Sequence, residues 1–274
     1  MQRLKWILLT SLAVGLCLLF YGTQIEPQWL EVRSQTATLP HLDPAFNGFK
    51  LVQLSDLHVH SLRDRLRRDL VQNLQQQQPE LIVLTGDFAG QGDDLATVGP
   101  ELETVLKEIR AIAPTLAVLG NHDYWLNPQW VQEVLQRAEI PLLKNEIDAI
   151  ERSSARLYLG GVDDAMVGRD RLGQVLAQLP PEGAVILLVH EPDFADTAAA
   201  TGRFDLELSG HSHGGQIRLG KPLILPPWGR NYPAGWYQVG TMQHYTNRGL
   251  GTTVLPLRLG SRPEMTVFRL KAEG

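Results

Sequence analysis

Five short apolar runs in this 274-residue chain each end in side chains that can bind a metal ion or transfer a proton. The residues at the ends of the runs are Asp56-Leu57-His58, Gly86-Asp87, Gly120-Asn121-His122-Asp123, His190-Glu191 and Gly210-His211-Ser212-His213. Their carboxylate, amide and imidazole groups suit divalent transition metals such as Mn, Fe or Zn. Because ligands of parallel sheets collect beyond the carboxyl ends of the strands, the pattern predicts one pocket that holds two divalent metal ions.

The residue types indicate different roles within that pocket. Asp56 and His58 are two residues apart, so on an extended strand end both side chains would face the same way. Asp87 offers two oxygens with four lone-pair sites and could bridge two cations. The side-chain oxygen of Asn121 can bind a metal without adding charge. The adjacent His122 points elsewhere, which leaves it free for proton transfer.

Each group also has an ordinary structural alternative when it is taken alone. Asp87 could belong to a turn, Asn121 could cap a helix and His190 could be a core histidine. The sharpest local signal is the pair His211 and His213, because the flanking glycines let the backbone curl so that both rings reach metals. All five groups would have to be structural, in this order and at strand ends, for the metal hypothesis to fail.

Four further residues receive secondary hypotheses. Asp123 could orient the ring of His122 or simply stabilise a turn. Tyr245, Arg248 and Arg258 are candidate substrate-binding residues, because a guanidinium group fits phosphate with two hydrogen bonds.

The apolar runs alternate with stretches of helical periodicity, which predicts an α/β fold. Strands are predicted over residues 50–55, 81–86, 115–120, 156–161, 184–190, 204–209, 216–219, 236–241, 243–247 and 264–270. Helices are predicted over residues 64–77, 93–112, 128–138 and 169–179. Prolines and glycines become frequent after residue 215, so the C-terminal third is predicted to form a second, largely antiparallel sheet packed on the first.

The N-terminal sequence predicts a membrane segment. Trp6 to Ile25 carries no charge and follows Arg3 and Lys5, and twenty helical residues span roughly 30 Å, about one hydrocarbon core. We predict an anchor or signal segment over residues 1–25 and a catalytic domain over residues 26–274. The missing small-x-small cleavage pattern favours a retained anchor. The basic flank favours a cytoplasmic N-terminus and an extracytoplasmic catalytic domain, with the cytoplasmic face as the alternative.

Composition narrows the classes of partner. The formal net charge is −5 and no basic stripe is present, which argues against a nucleic-acid partner. Cys17 is the single cysteine, so a thiolate metal site and an intramolecular disulfide are both excluded. No protein partner is inferred.

The ordered motifs over residues 51–215 resemble the calcineurin-like metallophosphoesterases, and the tail resembles their bacterial membrane-associated or exported branch. The resemblance implies a four-layer α/β/β/α sandwich of two packed mixed sheets, preceded here by one N-terminal transmembrane helix. It implies one metal held by Asp56, His58, Asp87 and His213, and a second held by Asp87, Asn121, His190 and His211. It also implies that His122 is the acid beside the metals.

The predicted function is therefore a dinuclear-metal phosphoesterase that hydrolyses a phosphodiester or pyrophosphate bond. The specific substrates considered are a nucleotide-linked lipid and other cell-envelope esters. A non-catalytic metal-binding scaffold of the same fold is one alternative, which the complete set of eight side chains disfavours. A metal-dependent nuclease is another, which the acidic net charge disfavours.

Overall fold

The chain begins with a long apolar helix in the computed structural model, which describes residues 2–273. Helix α1 spans Gln2–Phe20 and buries none of its residues. One π-helical turn, Tyr21–Ile25, and one 3-10 turn, Glu26–Gln28, continue it. The stretch Gln2–Gln28 is long and apolar enough to cross a membrane.

The remaining helices and the strands alternate along the chain. The strands are β1 (Glu31–Leu39), β2 (Lys50–Leu54), β3 (Leu81–Thr85), β4 (Thr115–Val118), β5 (Glu146–Arg152), β6 (Ala155–Gly161), β7 (Val185–Leu188), β8 (Leu206–Ser209), β9 (Arg218–Leu219), β10 (Lys221–Pro222), β11 (Gly235–Val239), β12 (Met242–Thr246) and β13 (Glu264–Ala272). The helices are α2 (Asp64–Gln77), α3 (Leu95–Arg110), α4 (Asn121–Leu126), α5 (Pro128–Arg137), α6 (Leu172–Gln178) and α7 (Ala195–Ala199).

Two mixed sheets organise these elements. The first has the strand order β1-β13-β2-β3-β4, with β13 antiparallel to β2 and the other neighbours parallel. The second has the order β11-β12-β8-β7-β6-β5 and is antiparallel only at its two edges. Strands β9 and β10 form a separate small hairpin.

Three apolar clusters separate four layers. Leu70 of α2 packs with Leu84 in the cluster between the first sheet and its helices. Val83 and Ile186 belong to the cluster between the two sheets. Val175 of α6 belongs to the cluster outside the second sheet. The central strands are buried on both faces, which explains their apolar sequences without alternation. The predicted fold class is confirmed.

The predicted origin of the second sheet is wrong. Its strands come from residues 146–246, and the last strand, β13, returns to the first sheet. That strand alternates between two apolar environments: Val267 packs in the helix-side cluster and Phe268 packs between the sheets. Burial on both faces places β13 in the interior of a sheet, between β1 and β2.

The four predicted helices are present, and Asn127 caps α5 by accepting a hydrogen bond from the N–H of Trp130 at 3.0 Å. The sequence patterns missed β1 and β5, each of which forms one edge of its sheet. Both carry polar or charged residues on their exposed positions, so neither shows the apolar run by which the central strands were recognised.

Candidate metal centre

The loops that follow β2, β3, β4, β7 and β8 meet at one end of the sandwich. The first three strands belong to one sheet and the last two to the other. The centre therefore lies beyond the carboxyl ends of strands from both sheets. Side-chain donors from both sheets come close enough to share ions. The groups that meet are Asp56, His58 and His213; His58, Asp87 and His122; and Asp87, His190 and His211.

Asp87 lies at the middle of this arrangement. Its Oδ2 is 3.6 Å from Nε2 of His58 and 3.1 Å from Nε2 of His190. Beyond His190, Nδ1 of His211 lies 3.3 Å from the same Nε2 atom. Burial opposes ionisation of Asp87, but the imidazole of His190 outweighs it and holds the pKa of this carboxyl well below its ordinary value. Its second oxygen accepts the backbone N–H of His122 at 2.9 Å.

Several buried donors of the centre lack a protein partner. Both ring nitrogens of His58, Oδ1 of Asn121 and Nε2 of His213 have no hydrogen-bond partner among residues 2–273. Nε2 of His213 lies 3.2 Å from Oδ1 of Asp56. Buried polar atoms without protein partners are costly unless an ion or a water molecule satisfies them. Nitrogen and oxygen donors gathered in this way fit two divalent metal ions.

Backbone carbonyls set the tautomers of two of the histidines. Nδ1 of His190 donates to the carbonyl oxygen of Thr85 at 2.7 Å, and Nε2 of His211 donates to that of Pro227 at 2.7 Å. A carbonyl can only accept, so when the ring is neutral, as a metal ligand must be, the opposite nitrogen carries the lone pair. That nitrogen faces the centre and is available to a metal. The sequence did not predict either carbonyl contact, because every residue has a backbone carbonyl and its use cannot be recognised from residue type.

Left-handed backbone is concentrated at the predicted ligands. Positive φ angles occur at Asp56 (48°), His58 (37°), Asp87 (57°), His211 (66°) and His213 (50°). Such angles are uncommon outside glycine, and their clustering is typical of functional sites. The predicted extended geometry of Asp56 and His58 is therefore wrong: β2 ends at Leu54, and a turn rather than strand alternation brings the two side chains to one pocket.

Glycine is required where backbone passes close to the ligands. Gly249 has φ +70°, and a Cβ there would lie 2.6 Å from Cβ of Asp56. A Cβ at Gly120 would lie 2.8 Å from both the backbone nitrogen of Asp87 and Cε1 of His190. Larger residues at either position would push the ligands apart.

We predict that Gly249→Ala weakens metal binding by roughly 10–100-fold, as expected when support of a ligand is disturbed. Gly48→Ala is the matched control, because Gly48 has φ +82° but nothing within 4 Å of its Cβ position. The left-handed backbone alone should cost each variant roughly 1–2 kcal/mol of stability. Metal titration and thermal unfolding of the two proteins measure the difference, and equal metal affinities would remove the packing role of Gly249.

His122 lies in α4 at the edge of the centre and is half-buried. Its Nδ1 accepts the N–H of Gln91 at 3.4 Å, which puts the proton of the neutral ring on Nε2. The ring makes edge contacts with His58 and Trp125, with both centroid distances 4.9 Å. Burial lowers the pKa of His122, and the charge of Asp87 only partly offsets this. A neutral ring with an Nε2–H group suits hydrogen bonding to a phosphate ester.

The hydrogen bonds of Asp123 go to backbone N–H groups. Its carboxylate accepts the N–H groups of Asp87 at 3.0 Å, Phe88 at 2.8 Å and Gly120 at 2.9 Å. Burial raises the pKa of Asp123 to about 8, and the charge of Asp87 adds to the effect. Of the two hypotheses for Asp123, the structure supports the turn: this residue holds the loops after β3 and β4 together.

Tyr245 and Arg248 both contact carboxylates inside the protein. Tyr245 is buried, and its hydroxyl donates to Glu264 at 2.6 Å. Arg248 is 7% exposed and pairs with Glu264 and with Glu31, the latter at 2.9 Å. Burial opposes the ionisation of Glu31, but Arg248 and then Arg33 lower its pKa to about 2. Internal contacts occupy the polar atoms of both side chains, a hydrogen bond for Tyr245 and ion pairs for Arg248, and their substrate role stays a prediction.

Arg258 is fully buried, and its predicted substrate role stays a prediction. Its guanidinium donates to the carbonyls of Arg248 at 3.0 Å, Gly249 at 3.1 Å and Ser261 at 2.8 Å, and lies 3.4 Å from Nδ1 of His213. Burial lowers the pKa of Arg258 to about 9, and the charge of Arg248 contributes. Its side chain supports the glycine segment that packs on Asp56. Residue type alone could not separate this role from phosphate binding.

Comparison with known proteins identifies the family that has this fold and this cluster of metal-binding side chains. Residues 49–215 match the family model described as calcineurin-like phosphoesterase. The metallophosphoesterase YkuE of Bacillus subtilis is 34% identical over 259 residues, which cover 92% of this chain and 89% of the relative. The phosphodiesterase YaeI of Escherichia coli is 32% identical over 260 residues, covering 91% and 92%.

A transmembrane protein with a metallophosphoesterase domain from Bos taurus is 33% identical over 251 residues. The match covers 84% of this chain but 55% of the bovine protein, so the chain spans about half of that relative. The chain belongs to the calcineurin-like phosphoesterase family, a class of metal-dependent phosphoric ester hydrolases. The predicted family and enzyme class are confirmed.

Proposed function

We propose that this protein is a membrane-anchored, dinuclear-metal phosphoesterase that hydrolyses a phosphodiester or pyrophosphate bond. The observation that carries the proposal is the position of Asp87. One carboxylate oxygen is close to donors of both groups, His58 on one side and His190 on the other, as a ligand shared between two cations requires.

The proposed ligands divide into two sets. One metal would be held by Asp56, His58, Asp87 and His213, and the other by Asp87, Asn121, His190 and His211. When bound, two such ions supply Lewis-acid stabilisation of the phosphate oxygens and make water acidic enough to attack at neutral pH.

The chain contributes charge balance and proton transfer. Asp56 and Asp87 are the carboxylates among the proposed ligands, and two carboxylates do not neutralise two divalent cations. The centre therefore keeps positive charge that attracts an anionic phosphate. The neutral oxygen of Asn121 preserves this excess. We assign protonation of the leaving oxygen to His122 in its imidazolium form, which gives up the proton on Nε2, the nitrogen not in contact with Gln91, and returns to the neutral ring.

We further propose that the substrate is held at a membrane, with a nucleotide-linked lipid or another envelope ester as the specific class. Helix α1 supports this, because its apolar surface is fully exposed over Gln2–Phe20 and a bilayer is the environment that suits it. The basic residues Arg3 and Lys5 favour an extracytoplasmic catalytic domain.

The test is hydrolysis by the full-length protein in detergent. The protein is stripped with a chelator, reloaded separately with Mn, Fe or Zn, and offered a phosphomonoester, a phosphodiester, a dinucleotide pyrophosphate and a nucleotide-linked lipid. We expect activity only after metal is restored, and higher turnover of the diester or pyrophosphate than of the monoester. Full metal occupancy without hydrolysis of any ester would favour the scaffold alternative.

The end of the anchor contacts the catalytic domain, so we propose a boundary at Tyr21 rather than at Glu26. The carbonyl of Gly22 accepts the backbone N–H of Arg258 at 2.9 Å, and that of Thr23 accepts Nη2 of Arg63 at 2.9 Å. Both bonds lie before the predicted boundary.

A chain that begins at Tyr21 is expected to hydrolyse a small chromogenic diester as fast as the full protein. A chain that begins at Glu26 should unfold at a lower temperature, because each lost hydrogen bond costs about 0.5–1.5 kcal/mol. Thermal unfolding and diester turnover of both fragments check this expectation. Identical unfolding temperatures would support a catalytic domain that begins at Glu26.

A further inference from the structure

Two loops beside the metal centre expose large apolar side chains. We call them the apolar rim, and its members are Leu219, Leu223, Ile224, Val254 and Leu255. Val254 is 91% exposed and Ile224 is 79% exposed, values unusual for aliphatic residues of a water-facing surface when they occur together. Residues 214–230 and 250–262, which contain the rim, include no Asp or Glu.

The two loops form one surface. The side chain of Gln216 accepts the N–H of Thr253 at 2.8 Å and donates to the carbonyl of Leu255 at 3.3 Å. The N–H of Arg218 donates to the carbonyl of Leu259 at 2.7 Å. These bonds tie the β9–β10 hairpin to the loop before β13, so the apolar tips of both loops are held on adjacent segments.

The rim adjoins the end of the apolar helix. Gly22, just beyond α1, packs against Leu257 of the second rim loop. The carboxylate of Glu26 accepts the N–H of Ser261 at 2.6 Å. Trp29 lies three residues further along the chain and is 49% exposed. The guanidinium group of Arg262 lies over its ring, 4.8 Å from the ring centroid. Tryptophan and arginine at the end of an apolar helix are typical of a membrane–water interface.

Both rim loops also continue directly from the metal centre. The hairpin begins five residues after His213, and Gly215 packs against Pro222 within it. The second loop follows Gly251, whose N–H donates to the carbonyl of Asp56 at 2.7 Å. A surface on which the rim rests would therefore lie at the mouth of the centre.

We propose that the apolar rim docks into the interfacial layer of the bilayer that receives α1. The helix is continuous with the rim, and both present apolar surface. Arg218 and Lys221 stand among the rim residues with no carboxylate nearby in sequence, which suits anionic lipid headgroups. The metal centre then opens onto the membrane surface, and its substrate is a phosphate ester whose apolar part stays in the bilayer. This last statement rests on the proposed phosphoesterase function, whereas the docking does not.

Depth measurements on the full-length chain test the docking. In a Cys17→Ser background, single cysteines replace Ile224, Val254 or, as the control, Glu182, an exposed residue in the loop before β7 at the opposite ends of the strands. Each is labelled with an environment-sensitive fluorophore, and the protein is reconstituted in vesicles of zwitterionic and anionic phospholipid with or without nitroxide on the acyl chains.

We expect blue-shifted emission and quenching by the nitroxide lipid at positions 224 and 254, and neither at position 182. Labels at 224 and 254 that behave like the control would overturn the proposal. So would labels that are shielded from a water-soluble quencher but untouched by the lipid quencher, because a second copy or another protein would then cover the rim.

The consequence for substrate choice is measured separately. The double variant Ile224→Asp and Val254→Asp should lower, by about tenfold or more, the ratio of turnover of a phosphodiester lipid in vesicles to turnover of a soluble nitrophenyl diester. Glu182→Ala should leave the ratio unchanged. An unchanged ratio in the double variant would contradict the proposal that the substrate is a phosphate ester held in the bilayer. Absence of all hydrolysis would instead contradict the phosphoesterase function while leaving the fluorescence result valid.

Discussion

Replacing Asp87 with Asn is expected to abolish most of the phosphoesterase activity and to remove much of the bound metal. The substitution keeps the size of the side chain but deletes the charge nearest to both donor groups, since Oδ2 lies 3.1 Å from His190 and 3.6 Å from His58. Two cations would then face each other with less negative charge between them. A loss of several kcal/mol of electrostatic stabilisation corresponds to roughly a thousandfold in turnover.

Metal content by elemental analysis and diester turnover measure the effect, and Asp205→Asn supplies a matched control. Asp205 is also a buried carboxylate beside a histidine, with Oδ1 2.7 Å from Nδ1 of His41, but it precedes β8 at the end of the strand away from the centre. The control should keep both metals even if it is less stable. Two metals and near wild-type turnover in Asp87→Asn would remove the bridging role.

The convergence of the donors could be predicted because it depends on strand ends. Each apolar run marks a buried strand, and each is followed by residues that suit a metal. The prediction needed no knowledge of which sheet a strand joins: Asp87 follows a strand of the first sheet and His190 follows one of the second, yet they meet at 3.1 Å.

The assignment of β13 could not be predicted in the same way. Its alternation of buried residues fits either sheet, and only the position of its partners decides which. Long-range pairing of this kind is a tertiary property, and proline and glycine frequency in the preceding segment gave a misleading signal. The partly polar edge strands β1 and β5 escaped notice for a related reason, since they bury only part of their surface.

Substrate residues were the least predictable part of the site. Arginine and tyrosine can bind phosphate, but the same donors also satisfy buried carboxylates and carbonyls. Arg248 and Tyr245 both bond to Glu264, and Arg258 bonds to the glycine segment behind Asp56. Which use is realised depends on burial, and burial depends on the packed sandwich rather than on local sequence.

His122→Ala is expected to lower turnover of alkyl phosphodiesters by roughly 10²–10⁴-fold, the contribution of a well-placed acid, while nitrophenyl esters are much less affected. An alkoxide needs a proton as it leaves, whereas nitrophenolate is stable without one. Both metals should remain, because Asn121 and Asp87 are untouched. His60→Ala is the control, since His60 is a nearby histidine that pairs with Asp93 at 3.1 Å.

Steady-state rates over a series of leaving groups, with metal content measured on the same samples, decide the role of His122. A steeper dependence of rate on leaving-group pKa in His122→Ala than in His60→Ala is the expected signature of proton donation. An equal loss for nitrophenyl and alkyl esters would reassign His122 to phosphate binding or to structure. Loss of one metal would make it a ligand, a role that its proximity to His58 and Asp87 also allows.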